Sequence, residues 1–289
     1  MPHRLRNYER GMYMVKGDLL GRGKTAEVYK WEQDKVLKLY FNNYDEAWMR
    51  REAQITQKVH EAGVPSPAVF DIVTVEGRRG IVFERIYGKT MMSTFETEPW
   101  TFFDYLSQLI RFHHKIHKYS TAGLPSQKEK FERAINLSSE ILGDKVKKIL
   151  DYVDRLPDGN SICHGDLYLS NVLVSDNKLV AIDWGSGYMG NPLGDVVRTA
   201  LITISPAVPP GTPSIMSAMF AYPKWMTYWR YLTEYMKIAN VKYEDLDAWT
   251  LPVAAAKLKD KIPGEEKWLM KIINERLEKL GVNKYGCEN

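Results

Sequence analysis

Apolar and polar positions alternate with a period of two along the first part of the chain. YMVKGDLL, EVYKW and KVLKLYF, within residues 13 to 41, read as strands. They are separated by the glycine-punctuated turn GRGKTA and by a tight turn at Glu32 to Asp34. From Asp45 to His60 the period changes. Trp48, Ile55 and Val59 lie among charges at helical spacing, and Gly63 and Pro65 close the segment. AVFDIVTVEGRRGIVFERI returns to alternation and reads as a hairpin turning near Glu76 to Arg79. Beyond Tyr87, helical spacing dominates in PWTFFDYLSQLIRFHHKIHKY and again in DKVKKILDYVDRL. One island interrupts the helices: ICHGDLYLSNVLV, the turn SDNK and LVAIDW read as two short strands with a tight connection. PAVPPGTPS, at 206 to 214, reads as a loop. The expected class is therefore α+β, with a small antiparallel-sheet N-lobe carrying one helix (1–86) and a larger, mostly helical C-lobe (87–289).

Composition narrows the function without naming it. A hydrophobic fraction of 44% and a charged fraction of 26% describe a folded globular chain rather than a disordered or fibrous one. Forty basic against 36 acidic residues, a net +4, gives no electrostatic reason for a nucleic-acid partner, while a polyanionic small molecule stays compatible. The N-terminal stretch has no apolar core of signal-peptide length, and no run approaches the roughly eighteen apolar residues of a membrane span. No membrane partner and a cytoplasmic location are expected. Cys163 and Cys287 lack metal-ligand spacing, which argues against structural zinc. Cys163 adjoins His164, but neighbours on a strand point to opposite faces, so it reads as a small buried hydrophobe rather than a nucleophile.

The chemistry concentrates in the island. His164, Asp166 and Asn171 fall within eight positions, and Asp183 follows in LVAIDWG. Alone, H-x-D-x4-N arises by chance at roughly one start in eight thousand, so order and context carry the weight. Upstream, Gly21 and Gly23 punctuate a strand turn, where small residues let a backbone approach phosphates, without the spacing of a Walker loop. Lys38, between apolar neighbours in VLKLY, needs anions to offset burial, and Glu52 on the next helix is one.

Glycine turn, strand lysine, helix glutamate, loop and later aspartate, in that order, resemble the protein-kinase-like fold. The loop itself is most similar to the aminoglycoside phosphotransferase and choline kinase family, over about residues 15 to 200. The resemblance implies an ATP- and Mg²⁺-dependent phosphotransferase acting on a small-molecule hydroxyl, with the nucleotide between two lobes. It implies that Asp166 accepts or orients the hydroxyl proton and that Asn171 and Asp183 hold Mg²⁺, since carboxylates facing a polyphosphate need a bridging cation. It places Lys38 at the α and β phosphates with Glu52 as its ion-pair partner, Val28, Val36, Leu173 and Ile182 around the adenine, and the backbone of Glu84 and Ile86 at the base edge. His164 and Asp195 are expected to brace the loop.

The sequence also departs from protein kinases. Gly165 stands where they carry arginine, Asp183-Trp184-Gly185 replaces D-F-G, and no A-P-E follows. An atypical protein kinase is the second enzyme reading. A nucleotide-binding regulator without turnover is the third, and the intact Lys38, Asp166, Asn171 and Asp183 weigh against it. His113 and His117, four apart on a helix, have no third ligand in the pattern and read as packing residues. Tyr222, Trp225, Tyr228, Trp229, Tyr231 and Tyr235 read mostly as core, with part of the cluster suited to a cationic alcohol. Acceptor pockets are built from variable helices and loops, so these motifs specify neither the acceptor nor an oligomeric state.

Overall fold

The structure is a computed structural model and describes residues 16–176, 178–207 and 214–285. Residues 13–15 of the first expected strand, most of the 206–214 loop, Cys287 and the Tyr222 side chain lie outside the described residues. Contacts divide the chain into two units, one containing residues up to Ala53 with Ala68–Arg85, the other Gln54–Pro67 with the chain from Ile86 onwards.

The first unit is a five-stranded antiparallel sheet of β1 (Leu19–Arg22), β2 (Ala26–Lys30), β3 (Lys35–Tyr40), β4 (Val69–Val75) and β5 (Arg78–Glu84), in the order β1-β2-β3-β5-β4. The first half of α1 (Glu46–Glu61) covers one face. Period two sorts the side chains: Tyr40, Ile81 and Phe83 pack with Met49 and Ala53 of α1, whereas Leu37, Leu39 and Val82 pack with Val75 on the other face. The glycine turn is shorter than its sequence suggests. Gly21 pairs with Val28 and Arg22 with Glu27, so both belong to β1, and the Gly23 N–H closes the ladder on the Ala26 carbonyl at 2.9 Å. The β4–β5 turn places Glu76 and Gly77 at φ 51° and 75°, the left-handed pair that matches strand twist.

In the second unit the chain runs through β6 (Lys89–Thr90), α2 (Met91–Thr97), α3 (Phe102–Ile116), α4 (Gln127–Asn136), α5 (Ser139–Leu142) and α6 (Lys145–Val153). It continues with β7 (Ser161–Cys163), β8 (Val172–Ser175), β9 (Lys178–Ala181), β10 (Tyr188–Gly190) and α7 (Pro192–Ile204). It ends with α8 (Ser214–Ala239), α9 (Tyr243–Asp247), α10 (Thr250–Lys257) and α11 (Glu266–Tyr285). Helix α3 has two apolar stripes: Leu109, Phe112 and Ile116 join the second half of α1 and the short strands, while Leu106 and Ile110 enter the main helical core. Helix α4 starts at a capping box between Ser126 and Glu129, and α7 at Asn191 followed by Pro192.

The island holds more strands than its sequence pattern suggests. ICHGDLYLSNVLV is two strands, β7 pairing with β10 and β8 with β6 and β9. The break is physical. Gly165 at φ 77° ends the extended run, and the chain loops back before β8 begins.

Candidate active site

In the sheet unit, Lys38 shares the α1 face with Tyr40. Its Nζ donates to Glu52 Oε1 at 2.6 Å and the Tyr40 hydroxyl donates to Oε2 at 2.7 Å. The lysine and glutamate side chains are 14% and 4% exposed, so Glu52 is a buried partner, unlike the solvated Arg50–Glu46 pair one turn earlier. Val28 and Val36 are half-buried. The Glu84 N–H is committed to the Ala68 carbonyl at 2.9 Å.

In the helical unit, the loop after β7 is clamped from beneath. Asp195, in the first turn of α7 and fully buried, accepts from the N–H of His164 at 2.7 Å and of Gly165 at 2.8 Å. It also accepts from His113 Nε2 at 3.0 Å and His117 Nε2 at 3.3 Å. Their Nδ1 atoms accept from the hydroxyls of Tyr231 at 2.6 Å and Tyr235 at 2.8 Å. A carboxylate only accepts, so both imidazoles carry their proton on Nε2. The third partner absent from the helical spacing is thus supplied by α7, within 4.8 Å of both rings, and the histidines are donors rather than plain packing residues. Burial opposes the Asp195 charge, but the two imidazoles outweigh it and hold the carboxyl well below its usual range.

This clamp has a pH signature. Burial, above all, lowers His117 from 6.5 to about 4. The unfolded chain therefore takes up a proton first, and the contribution of His117 is full above pH 6.5 and lost as pH falls towards 4. The loss amounts to about 3 kcal/mol at about 1.4 kcal/mol per unit. Urea midpoints are expected to fall across that window, and His117→Gln to flatten the fall.

Above the clamp, the loop carries Asp166. Its N–H donates to His164 Nδ1 at 3.3 Å and its carbonyl accepts from Asn171 Nδ2 at 2.9 Å, which leaves Asn171 Oδ1 as the amide's ligand atom. His164 Nε2 donates to the Ile182 carbonyl at 3.0 Å, and burial lowers its pKa, so it is a neutral brace with its ring tilted against Trp184. The Ile182 N–H in turn donates to the Asn171 carbonyl at 3.0 Å. Asn171 and Asp183 thereby lie at the same end of the β8–β9 hairpin, while Leu173 and Ile182 flank it half-buried. Asp183 is exposed and left-handed at φ 65°, a conformation aspartate tolerates and functional sites often retain. Tyr168 lies close enough to both carboxylates that, after burial, Asp166 and Asp183 raise its pKa.

Sequence reasoning missed Arg198. Its Nε donates to the Gly165 carbonyl at 2.6 Å, and its Nη2 lies 2.9 Å from Asp260 and 3.5 Å from Asp166 Oδ1. Burial would weaken this cation, but Asp260 and Asp166 more than compensate and raise its pKa. The available signal was spacing, since Asp195 and Arg198 are three apart on one helix.

Gly165 cannot be replaced by arginine here. Besides φ 77°, a Cβ would clash with the Ser186 carbonyl and lie 2.7 Å from Lys130 Nζ. Gly165→Ala is expected to cost about 1–3 kcal/mol in a denaturant titration.

Cys163 is fully buried and its thiol is pushed up by burial. The aromatic cluster divides: Tyr231 and Tyr235 serve the histidines, Trp229 stacks on Tyr243 at 5.7 Å and meets Tyr228 edge-on, and Trp225 is exposed.

A family model described as the phosphotransferase enzyme family matches residues 19–235. The chain belongs to this family. Its fold is that of the family's solved structures. Aminoglycoside phosphotransferase APH(4)-Ia, as a thermostable mutant in a ternary complex with ADP and hygromycin B, is similar at TM-score 0.60 and 15% identity, covering 96% of this chain and 97% of that one. Aminoglycoside-3'-phosphotransferase of type VIII is similar at TM-score 0.52 and 16% identity, over 87% and 96% of the two chains. The streptomycin-ATP complex of APH(2")-IIa gives TM-score 0.51 and 14% identity over 92% of each. No curated protein matches the sequence. This phosphotransferase has, among its described residues, no helix long and apolar enough to cross a membrane.

Proposed function

We propose that the protein transfers the γ-phosphate of ATP to a hydroxyl of a small molecule. The observation that carries this reading is the convergence of Asp166, Asn171 and Asp183 on one loop and one hairpin end, tied by the His164–Ile182 and Ile182–Asn171 hydrogen bonds.

An amide oxygen and a carboxylate are hard oxygen donors and suit Mg²⁺. Asn171 Oδ1 and Asp183 would hold the ion, which when bound neutralises charge between the protein carboxylates and the phosphates. Asp166 takes the proton of the acceptor hydroxyl as that oxygen attacks the γ-phosphorus. The new oxygen–phosphorus bond forms while the bond to the β-bridging oxygen breaks, and ADP leaves. His164 and Asp195 act on the loop rather than on the substrate.

In the sheet unit, Lys38, oriented by Glu52, takes the α and β phosphates, and the backbone around Gly21 and Gly23 approaches them. Glycine at these two positions is not demanded by the chain itself. A Cβ would meet nothing within 4 Å at Gly21 and only the Ala26 carbonyl, at 3.6 Å, at Gly23. Val28 and Val36 offer a base apolar flanks in this unit, with the backbone of Glu84 at its edge.

Incubation with γ-labelled ATP tests the reading. Label is expected to pass slowly to water without an acceptor and faster to a hydroxyl compound, in both cases only with Mg²⁺. A protein that neither binds nor hydrolyses MgATP would refute it.

A further inference from the structure

Helix α7 grips Gly165, the residue before Asp166, by both of its backbone polar groups. Asp195 accepts from the Gly165 N–H at 2.8 Å, and Arg198 Nε donates to the Gly165 carbonyl at 2.6 Å. The guanidinium then reaches past the backbone. Its Nη2 donates to Asp260 Oδ2 at 2.9 Å and lies 3.5 Å from Asp166 Oδ1. Asp260 belongs to the turn after α10, 62 residues further along the chain. Lys259 Nζ stands 3.3 Å from its other oxygen.

The cation is shared unequally between the two carboxylates. At 2.9 Å the Asp260 contact is a formed, charge-assisted hydrogen bond, whereas 3.5 Å is the outer limit for one. Asp166 therefore feels the charge without being closed into a pair. A tight pair would occupy lone pairs that a base needs and lower its proton affinity. Burial opposes the charge of Asp260, but Arg198 and Lys259 outweigh it and hold that carboxyl below its usual range, so the anchor stays ionised at neutral pH. With 36% of its side chain exposed against 17% for Arg198, Asp166 stays open to an incoming hydroxyl.

We propose that Arg198 and Asp260 are positioning residues for Asp166: Arg198 aims the carboxylate through Oδ1, so that Oδ2 takes the proton of the acceptor hydroxyl, and Asp260 holds the guanidinium back from closing on the base. The proposal rests on the phosphotransferase reading above and adds the two groups that set its base. As the hydroxyl oxygen bonds to phosphorus, its proton passes to Asp166 Oδ2 and ADP leaves with the electron pair of the broken bond. Asp166 is then neutral, and Asp260 remains as the counter-ion of Arg198.

The test is a double-mutant cycle read by single-turnover transfer from γ-labelled ATP to water, whose O–H stands in for the acceptor hydroxyl. Asp260→Asn keeps an oxygen for Arg198 Nη2 but removes the charge that restrains it. It is expected to slow transfer about ten- to a hundredfold, the cost of a displaced catalytic group, at an unchanged half-saturating MgATP concentration. In an Asp166→Ala background the same substitution is expected to alter the rate by less than about twofold, since no carboxylate is left to aim. Arg198→Lys keeps the charge but lacks the planar fork that spans Gly165, Asp260 and Asp166, and is expected to slow transfer by a similar factor. It decides the matter if Asp260→Asn does not fold.

A rate equal to the parent's in either variant overturns the proposal. So does an equal loss from Asp260→Asn in both backgrounds, the mark of a residue that merely supports the fold, or a change confined to MgATP binding. The parent protein separates the two levels of inference. If it does not hydrolyse MgATP, the phosphotransferase reading and this proposal fall together, whereas hydrolysis indifferent to residues 198 and 260 removes the positioning roles alone.

Discussion

Replacing Asp166 by alanine is expected to lower phosphoryl transfer by roughly 10²–10⁴, the usual contribution of a positioned general base, with ATP affinity largely retained. The contacts that shape the loop involve the backbone of residue 166: its N–H reaches His164 and its carbonyl receives Asn171. Both survive truncation of the side chain. Arg198 keeps Asp260 at 2.9 Å and the Gly165 carbonyl, so no buried cation is stranded. Single-turnover kinetics on folded Asp166→Ala, with nucleotide binding measured alongside, provides the check. Turnover equal to the parent protein would remove Asp166 from the chemistry.

Asp183→Asn is expected to have the second-largest effect, a fall in turnover of about 10²–10³, together with a higher Mg²⁺ concentration for half-maximal rate. Asparagine accepts the left-handed backbone at φ 65° as readily as aspartate does, so folding should be preserved while one negative ligand is lost. A Mg²⁺ titration of the variant distinguishes loss of a metal ligand from loss of fold. An unchanged Mg²⁺ dependence would place Asp183 outside the metal site.

The two variants probe groups that were legible for different reasons. Asp166 and Asn171 are five apart on one loop, and Lys38 sits in a strand whose period fixes which face it shares with Tyr40. Such relations survive in a linear reading because they are made by neighbouring residues. The extent of the glycine turn was less legible, since Gly21 and Arg22 are held in β1 by partners on β2. His113 and His117 show the limit more sharply. Their spacing is visible, but their role depends on Asp195, 82 and 78 residues away, and on tyrosines 118 residues away.

The sequence by itself determined a strand-rich first part with one helix before a mostly helical second part, the need of Lys38 for an anionic partner, and the loop that carries Asp166 and Asn171. Those follow from periodicity, from the cost of burying charge and from short-range spacing. Only the tertiary structure decided that Asp195 grips the loop from below and that Arg198 reaches Asp166 and Asp260. Those relations join segments far apart in the chain, and the packing of the helices against the loop sets their distances; no local pattern in the chain encodes them.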